Sequence, residues 1–236
     1  MQKKGIEMII DKQNKVIFLE IPKTGTSFVR HHLYDYVSDD FIISPLLKFR
    51  HAPLQVAVNH YNIDVKEFDV YCFARHPEDW LVSEFAEYTT NHLTPFLEGK
   101  GGELTRKHVR NRHSYFFGKD PFDLNVHLDM LLTDDAFVPM KRTVELGSMW
   151  KPTVQCKEEL DPNKLHVHKY EDFQDSIAKL FTAFNKPVPN HTKVVHKTQV
   201  KKQIPTRRNR SRINRIFDTD FKEFGYQKRT VMALNE

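Results

Sequence analysis

The sequence predicts an α/β fold, a single domain in which a parallel β-sheet is flanked by helices. Two segments carry this prediction. In each of them, a short apolar run of β-favouring residues is followed at once by residues with helical spacing. Successive strand-to-helix segments are typical of parallel sheets, because the helix returns the chain to the edge where the next strand begins. The 236 residues, 39% of them hydrophobic, are enough for one such domain across residues 1–236.

The first segment contains a predicted strand at Val16–Leu19 and a helix that begins at Thr26 or Ser27, both of which are common N-cap residues. In the second segment, the predicted strand Asp69–Ala74 leads to a helix entered at Pro77, since proline is favoured in the first helical turn. Residues with helical spacing are Phe28, Val29, His32, Leu33, Tyr36 and Val37 in the first helix, and Trp80, Leu81, Phe85 and Tyr88 in the second.

The later sequence predicts further elements from weaker patterns. The predicted elements are helices at residues 122–132, from Glu171 or Asp172 to Phe184, and at residues 208–217, with a strand at residues 165–168. The stretch 91–112 is polar and contains three glycines, so we expect a mobile excursion there.

The N-terminal residues and the cysteines indicate the cellular compartment. Residues 1–15 contain several charged side chains, so the apolar pair Ile9-Ile10 cannot belong to a signal or anchor segment. Cys72 and Cys156 are too few and too far apart for a disulfide framework, and they lack metal-ligand spacing. The sequence therefore predicts a cytoplasmic protein with no metal and no membrane partner.

The positive charge of the chain is concentrated near its end. The formal net charge is +5, and nine of the 36 Lys and Arg residues lie between residues 191 and 217, where there is no acidic residue. They are Lys193, Lys197, Lys201, Lys202, Arg207, Arg208, Arg210, Arg212 and Arg215. Acidic residues outnumber basic ones in the rest of the chain, so the sequence predicts a local polyanion site.

A phosphate-binding loop is predicted at residues 22–27, between the first strand and its helix. The N-terminus of a helix offers unpaired amides and the positive end of the helix dipole, which together bind anions. Gly25 allows close approach of the backbone, Lys23 adds a cation, and the hydroxyls of Thr24, Thr26 and Ser27 are possible donors. A Walker A lysine would follow the last glycine, whereas Lys23 precedes it, so a magnesium–nucleotide hydrolase is disfavoured. The structural alternative is a helix capped by Ser or Thr after a turn.

The residues from Pro22 to Phe28, Pro-Lys-Thr-Gly-Thr-Ser-Phe, resemble the 5′-phosphosulfate loop of sulfotransferases. The resemblance implies that Lys23 contacts the leaving phosphate and that Thr24, Gly25, Thr26 and Ser27 hold the 5′-phosphate. It also implies that Phe28 stacks on the adenine ring, although a phenylalanine at such a position is more often a core residue.

A second resemblance concerns Arg75 and Ser83, which lie eight positions apart, as do an arginine and a serine that bind the 3′-phosphate in that family. A guanidinium can bind phosphate in a bidentate manner, and a helical hydroxyl adds a directed donor. The alternative is that Arg75 forms an ion pair with Glu78 or Asp79 and that Ser83 faces solvent.

Two further stretches, residues 169–173 and 220–226, resemble family markers that are not site residues. Together, the resemblances imply a sulfotransferase fold related to that of P-loop NTPases. They also imply an enzyme that transfers a sulfuryl group from 3′-phosphoadenosine 5′-phosphosulfate (PAPS) to a hydroxyl of a carbohydrate or other alcohol. The family closes a late basic loop over the nucleotide, which would assign Lys197 and its neighbours to the donor site.

Sulfuryl transfer needs a base to remove the proton of the acceptor, and histidine suits that role. His51 is the first candidate, because Arg50-His51-Ala52-Pro53 resembles a His-Ala-Pro segment of bacterial members, just before a helix predicted near Pro53. His60 is the second candidate, and an acidic residue is a third. Two other functions stay open: a phosphate-loop kinase, and a non-catalytic polyanion-binding protein. A nucleic-acid partner is disfavoured.

Overall fold

The computed structural model describes residues 8–43, 54–103, 105–106, 109–110, 116, 118–132, 160–190 and 203–230. The chain divides into two compact units. The first unit comprises Met1–Arg75 and Trp150–His196, and the second comprises His76–Met149 and Lys197–Glu236. The prediction of one domain stays a prediction.

The first unit contains a single sheet of five strands in the described residues. The strands are β1 (Met8–Asp11), β2 (Val16–Leu19), β3 (Phe41–Ile43), β4 (Asp69–Ala74) and β5 (Leu165–Lys169). Their order across the sheet is β3-β1-β2-β4-β5, and β2, β4 and β5 are parallel to one another. The predicted α/β architecture with parallel strands is thus confirmed at the centre of the sheet.

The antiparallel strands β1 and β3 differ from the sequence prediction. β1 pairs antiparallel with both β2 and β3, and Met8 lies opposite Leu19. The β1–β2 hairpin turns where Asp11 accepts hydrogen bonds from the backbone and side chain of Asn14. Lys15, at the end of this turn, has a φ of 55°. The sequence predicts no strand at Ile9-Ile10, whereas the hairpin buries both isoleucines completely.

The helices of the first unit are α1 (Thr26–Leu33), α2 (Leu54–Tyr61) and, later in the chain, α6 (Phe173–Ala183). α1 continues into a 3₁₀ turn at Tyr34–Tyr36, within the helical range that the periodicity predicts. A core cluster joins α1 and α6 to the sheet through Phe28 and Leu33, Phe18 and Phe73, and Ile177 and Phe181. This packing fixes the start of α1 against the carboxyl ends of the central strands.

The described part of the second unit is helical. Its helices are α3 (Pro77–Tyr88), α4 (Thr94–Leu97), α5 (Leu124–Leu131), α7 (Arg207–Ile216) and α8 (Asp218–Glu223). Their shared core includes Trp80, Phe85, Leu128, Ile213 and Phe217. α3, α5 and α7 agree with the sequence prediction, and α8 was not predicted.

The expectation of an irregular stretch from residue 91 is wrong at its start. A π-helical turn at Thr89–Leu93 continues α3 and leads directly to α4. Leu93 is buried in the core of the second unit, which explains why the backbone stays helical in a polar stretch. Within the described residues, the structure contains no helix of the length and apolar character needed to span a bilayer.

Candidate anion-binding site

Three parallel strands end at one edge of the sheet, and each is followed by a candidate site residue. β2 leads to the loop at residues 20–25, β4 leads to Arg75, and β5 leads to Tyr170. Ligands of open α/β sheets commonly bind outside the carboxyl ends of the strands. This edge is therefore the candidate site in the first unit.

The loop between β2 and α1 has an unusual backbone. Lys23 has a φ of 64° and Gly25 a φ of 83°, both in the left-handed region. Thr24, between them, is completely buried and donates its hydroxyl hydrogen to the carbonyl oxygen of Ile21 at 2.8 Å. That hydrogen bond stabilises the tight turn, in which Lys23 and Gly25 adopt left-handed backbone conformations.

Gly25 cannot be replaced without moving aromatic side chains. A Cβ atom built at Gly25 would lie 2.5 Å from Cε2 of Phe173 and 3.0 Å from Cε2 of Tyr170. Glycine permits both the positive φ and this close approach. The loop therefore lies directly against the residues that follow β5.

The N-terminus of α1 has no side-chain cap. Gly25 is the N-cap residue, its side chain has no acceptor to offer, and the first turn has no acidic residue. The amide of Phe28 already donates to the carbonyl oxygen of Gly25 at 3.0 Å, so the first-turn amides without an acceptor in the helix are those of Thr26 and Ser27. The helix dipole places partial positive charge beside them. An anion beside Gly25 would satisfy these amides, as at other helix N-termini that bind phosphate.

Arg75 is held beside this loop by two contacts. Its Nη1 donates to the carbonyl oxygen of Lys23 at 2.9 Å, and its guanidinium carbon lies 4.7 Å from the centre of the Tyr170 ring. Stacking on an aromatic face leaves the edge of a guanidinium able to donate further hydrogen bonds. The two acids offered as alternative partners bind other arginines: Glu78 binds Arg210 and Arg229, and Asp79 binds Arg229.

A buried carboxylate lies at the start of the loop. Glu20 is completely buried and accepts a hydrogen bond from Nε of Arg30 at 3.1 Å and a second from its Nη2. Burial raises the pKa of the Glu20 carboxyl to about 7, although Arg30 acts in the opposite direction. Glu20 and Arg30 thus connect the end of β2 to the second turn of α1.

Phe28 and Thr24, to which the resemblance assigns contacts with the donor, are both buried. Phe28 is only 4% exposed and packs edge-on against Phe173, with ring centres 5.4 Å apart, so it has little surface to offer an adenine ring. Thr24 uses its hydroxyl hydrogen within the loop, so its amide rather than its hydroxyl is the group left to donate. Thr26 is buried and Ser27 is exposed at the start of α1.

The remaining candidate site residues lie away from the β2–α1 loop or outside the residues that the structure describes. Ser83 is half-buried on α3 in the second unit, and its pairing with Arg75 on a phosphate stays a prediction. His60 is exposed in the last turn of α2, with its ring 4.6 Å from that of Tyr61. His51 and Lys197 lie outside the described residues.

Tyr170 and Phe173 are the site residues that sequence reasoning missed. They belong to the stretch 169–173, which the resemblance treats as a marker without a site role. Their position directly after the strand predicted at residues 165–168 was the available signal. The strand order explains the contact with Arg75, because β5 lies next to β4 and so brings Tyr170 beside Arg75.

Among the described residues, no group of three His, Cys, Asp or Glu side chains is arranged to hold a metal ion. No protein-family model matches the chain, and neither a curated protein nor a solved structure does.

Proposed function

We propose that the protein is a sulfotransferase that transfers a sulfuryl group from PAPS to a hydroxyl of a carbohydrate or another alcohol. The observation that carries this proposal is the uncapped N-terminus of α1 behind Gly25, with Arg75 bonded to the same loop. The amides of the α1 first turn suit a 5′-phosphate, and the guanidinium of Arg75 suits a second phosphate group. Ser83 and Lys197 enter the proposal on the sequence resemblance alone.

In the proposed reaction, the acceptor oxygen bonds to sulfur while the bond between sulfur and the bridging phosphate oxygen breaks. The acceptor proton passes to a base, for which His51 is the first candidate and His60 the second. Lys23 neutralises the negative charge that develops on the leaving phosphate, which is electrostatic stabilisation of the transition state. The site uses fixed backbone amides for the phosphate, so little reorganisation accompanies the transfer.

A transfer assay tests this function. The protein is incubated with sulfur-labelled PAPS and a panel of sugars, aliphatic alcohols and phenols, in the presence of EDTA. We expect label on a hydroxyl acceptor and release of 3′-phosphoadenosine 5′-phosphate. Phosphoryl transfer from ATP with magnesium, without any sulfuryl transfer, would contradict the proposal and favour a kinase.

A further inference from the structure

Two large apolar side chains in the second unit are exposed on neighbouring stretches of chain. Ile204 is 65% exposed and Phe122 is 40% exposed. The side chain of Gln203 joins the two stretches, since it accepts from the amide of Leu124 at 2.7 Å and donates to the carbonyl of Phe122 at 2.7 Å. The exposed apolar residues therefore lie on one local surface.

The backbone on both sides of Ile204 is fixed. The carbonyl of Ile204 accepts from the side-chain amide of Asn125 at 3.3 Å, and the Asn125 side-chain oxygen accepts from the amide of Thr206 at 2.6 Å. Pro205 is buried between them. A folded loop thus holds Ile204 in solvent. Its aliphatic side chain contributes favourable burial free energy only when an apolar partner covers it.

The helix α7 begins three residues after Ile204 and has exposed positive charge. Arg207, Arg208 and Arg215 on α7 are exposed, and no carboxylate of the described residues forms an ion pair with them. The other two arginines of α7 are paired, Arg210 with Glu78 and Arg212 with Asp129. At 1.5 Å per residue, the exposed arginines extend over about 12 Å of helix, which matches several anionic groups rather than one.

We propose that the surface formed by Phe122, Ile204, Arg207, Arg208 and Arg215 docks the protein on an anionic phospholipid membrane. Guanidinium groups bind lipid phosphates, and the two apolar side chains enter the boundary between headgroups and acyl chains. Nucleic acids and acidic polysaccharides would match the arginines but offer no apolar phase for Ile204. This proposal departs from the sequence prediction of no membrane partner, which rests on the absence of a signal or anchor segment in residues 1–15. A peripheral contact needs no such segment, and it does not depend on the proposed sulfotransferase activity.

Sedimentation of the full chain with vesicles tests the proposal. One set of vesicles contains phosphatidylcholine alone, and the other contains equal parts of phosphatidylcholine and phosphatidylserine. We expect binding to the phosphatidylserine vesicles that weakens as salt is added. The double variant Arg207→Gln/Arg208→Gln should bind about 20- to 30-fold more weakly, because each cation near an anionic surface contributes about 1 kcal/mol. The double variant Phe122→Ser/Ile204→Ser should also bind more weakly.

Matched controls use exposed residues of the first unit. Lys12→Gln/Lys66→Gln removes the same charge, and Val37→Ser removes an apolar side chain that is 50% exposed. Both should bind like the wild type, and circular dichroism melting checks that every variant is folded. Absence of binding to phosphatidylserine vesicles would overturn the proposal. Wild-type binding of the Phe122→Ser/Ile204→Ser variant to these vesicles would also overturn it. In that case, the proteins are tested with RNA and heparin. Binding to either polymer that only the arginine variant loses would identify a polymeric polyanion as the partner.

Discussion

Lys23 combines a positive charge with a backbone conformation that non-glycine residues seldom adopt. Its φ of 64° lies in the left-handed region, and its carbonyl accepts the hydrogen bond from Arg75. A positive φ alone does not indicate function, since Lys15 has a φ of 55° in the β1–β2 turn. What distinguishes Lys23 is its position beside the uncapped start of α1, where an anion would be bound.

We expect the variant Lys23→Asn to lose sulfuryl transfer by about 10²- to 10³-fold, because a contact to charge that develops in the transition state is removed. Asparagine tolerates the left-handed conformation, so the melting temperature should stay close to that of the wild type. Lys15→Asn is the matched control, with the same substitution in the same backbone region, and its activity should be unchanged. Near wild-type turnover of Lys23→Asn, measured with saturating donor, would contradict the assigned role.

The stability of the protein should depend on the protonation of Glu20. The folded state raises the pKa of this carboxyl from 4.5 to about 7, so between these values the folded state binds more protons than the unfolded state. The contribution of Glu20 to stability is therefore full below pH 4.5 and is lost as the pH rises towards 7. It amounts to at most about 3 kcal/mol.

Chemical denaturation at a series of pH values between 4.5 and 7.5 measures this dependence. The variant Glu20→Gln keeps a hydrogen-bond acceptor for Arg30 but does not titrate, so its free energy of unfolding should fall less steeply with pH than that of the wild type. Parallel curves of unfolding free energy against pH for the two proteins would show that Glu20 is ionised and paired with Arg30 over this whole pH range.

At the scale of elements, the candidate site depends on how closely the β2–α1 loop approaches the residues after β5. The variant Gly25→Ala should be destabilised by the strained φ and also by the collision with Phe173, which together cost about 3 kcal/mol or more. Gly99→Ala is the matched control. Gly99 has a φ of 70° with nothing within 4 Å of the added Cβ, so only the strain of about 1 kcal/mol applies. Equal losses of unfolding free energy in the two variants would mean that the β2–α1 loop and Phe173 shift at little cost to accommodate the added Cβ atom.

Tyr170 should act as a positioning residue for Arg75. The variant Tyr170→Leu removes the ring under the guanidinium and should weaken donor binding by about 2- to 10-fold, which corresponds to one cation–π contact. The loss should appear for PAPS and not for adenosine 5′-phosphosulfate, which lacks the 3′-phosphate. Tyr170→Phe keeps the ring and should restore the discrimination. If each variant weakens the binding of PAPS and of adenosine 5′-phosphosulfate by the same factor, Tyr170 stabilises the fold and does not position Arg75.

The sequence predicts those elements whose signals are local. β4 was predicted with its observed bounds and α3 with its observed start, because a run of apolar residues ends at Ala74 and Pro77 marks the helix start. The strand β1 was missed because its burial comes from pairing with β2 and β3, which no local pattern reports. The contact of Tyr170 with Arg75 also depends on strand order, so it could not be predicted from either stretch alone.

At the scale of the whole molecule, the second unit places its charged helix within a network of ion pairs. Glu78 is almost completely buried and pairs with Arg210 of α7 and with Arg229. These contacts and the buried Ile213 hold α7 against α3 and α5. The basic stretch 191–217, which the resemblance expects to close over the nucleotide, contains a regular helix from Arg207 to Ile216, and its residues 191–202 lie outside the described part of the chain. The arginines of this stretch divide into an internal, structural set and an external set available to a partner.

The most direct test of the proposed donor site is a calorimetric titration of the protein with 3′-phosphoadenosine 5′-phosphate in EDTA. We expect saturable binding by the wild type without magnesium. Arg75→Ala should bind about 2–3 kcal/mol more weakly, because a charge-assisted hydrogen bond to the 3′-phosphate is lost, and its affinity for adenosine 5′-phosphate should be unchanged. No binding of 3′-phosphoadenosine 5′-phosphate by the wild type, together with tight binding of ATP when magnesium is added, would contradict the account.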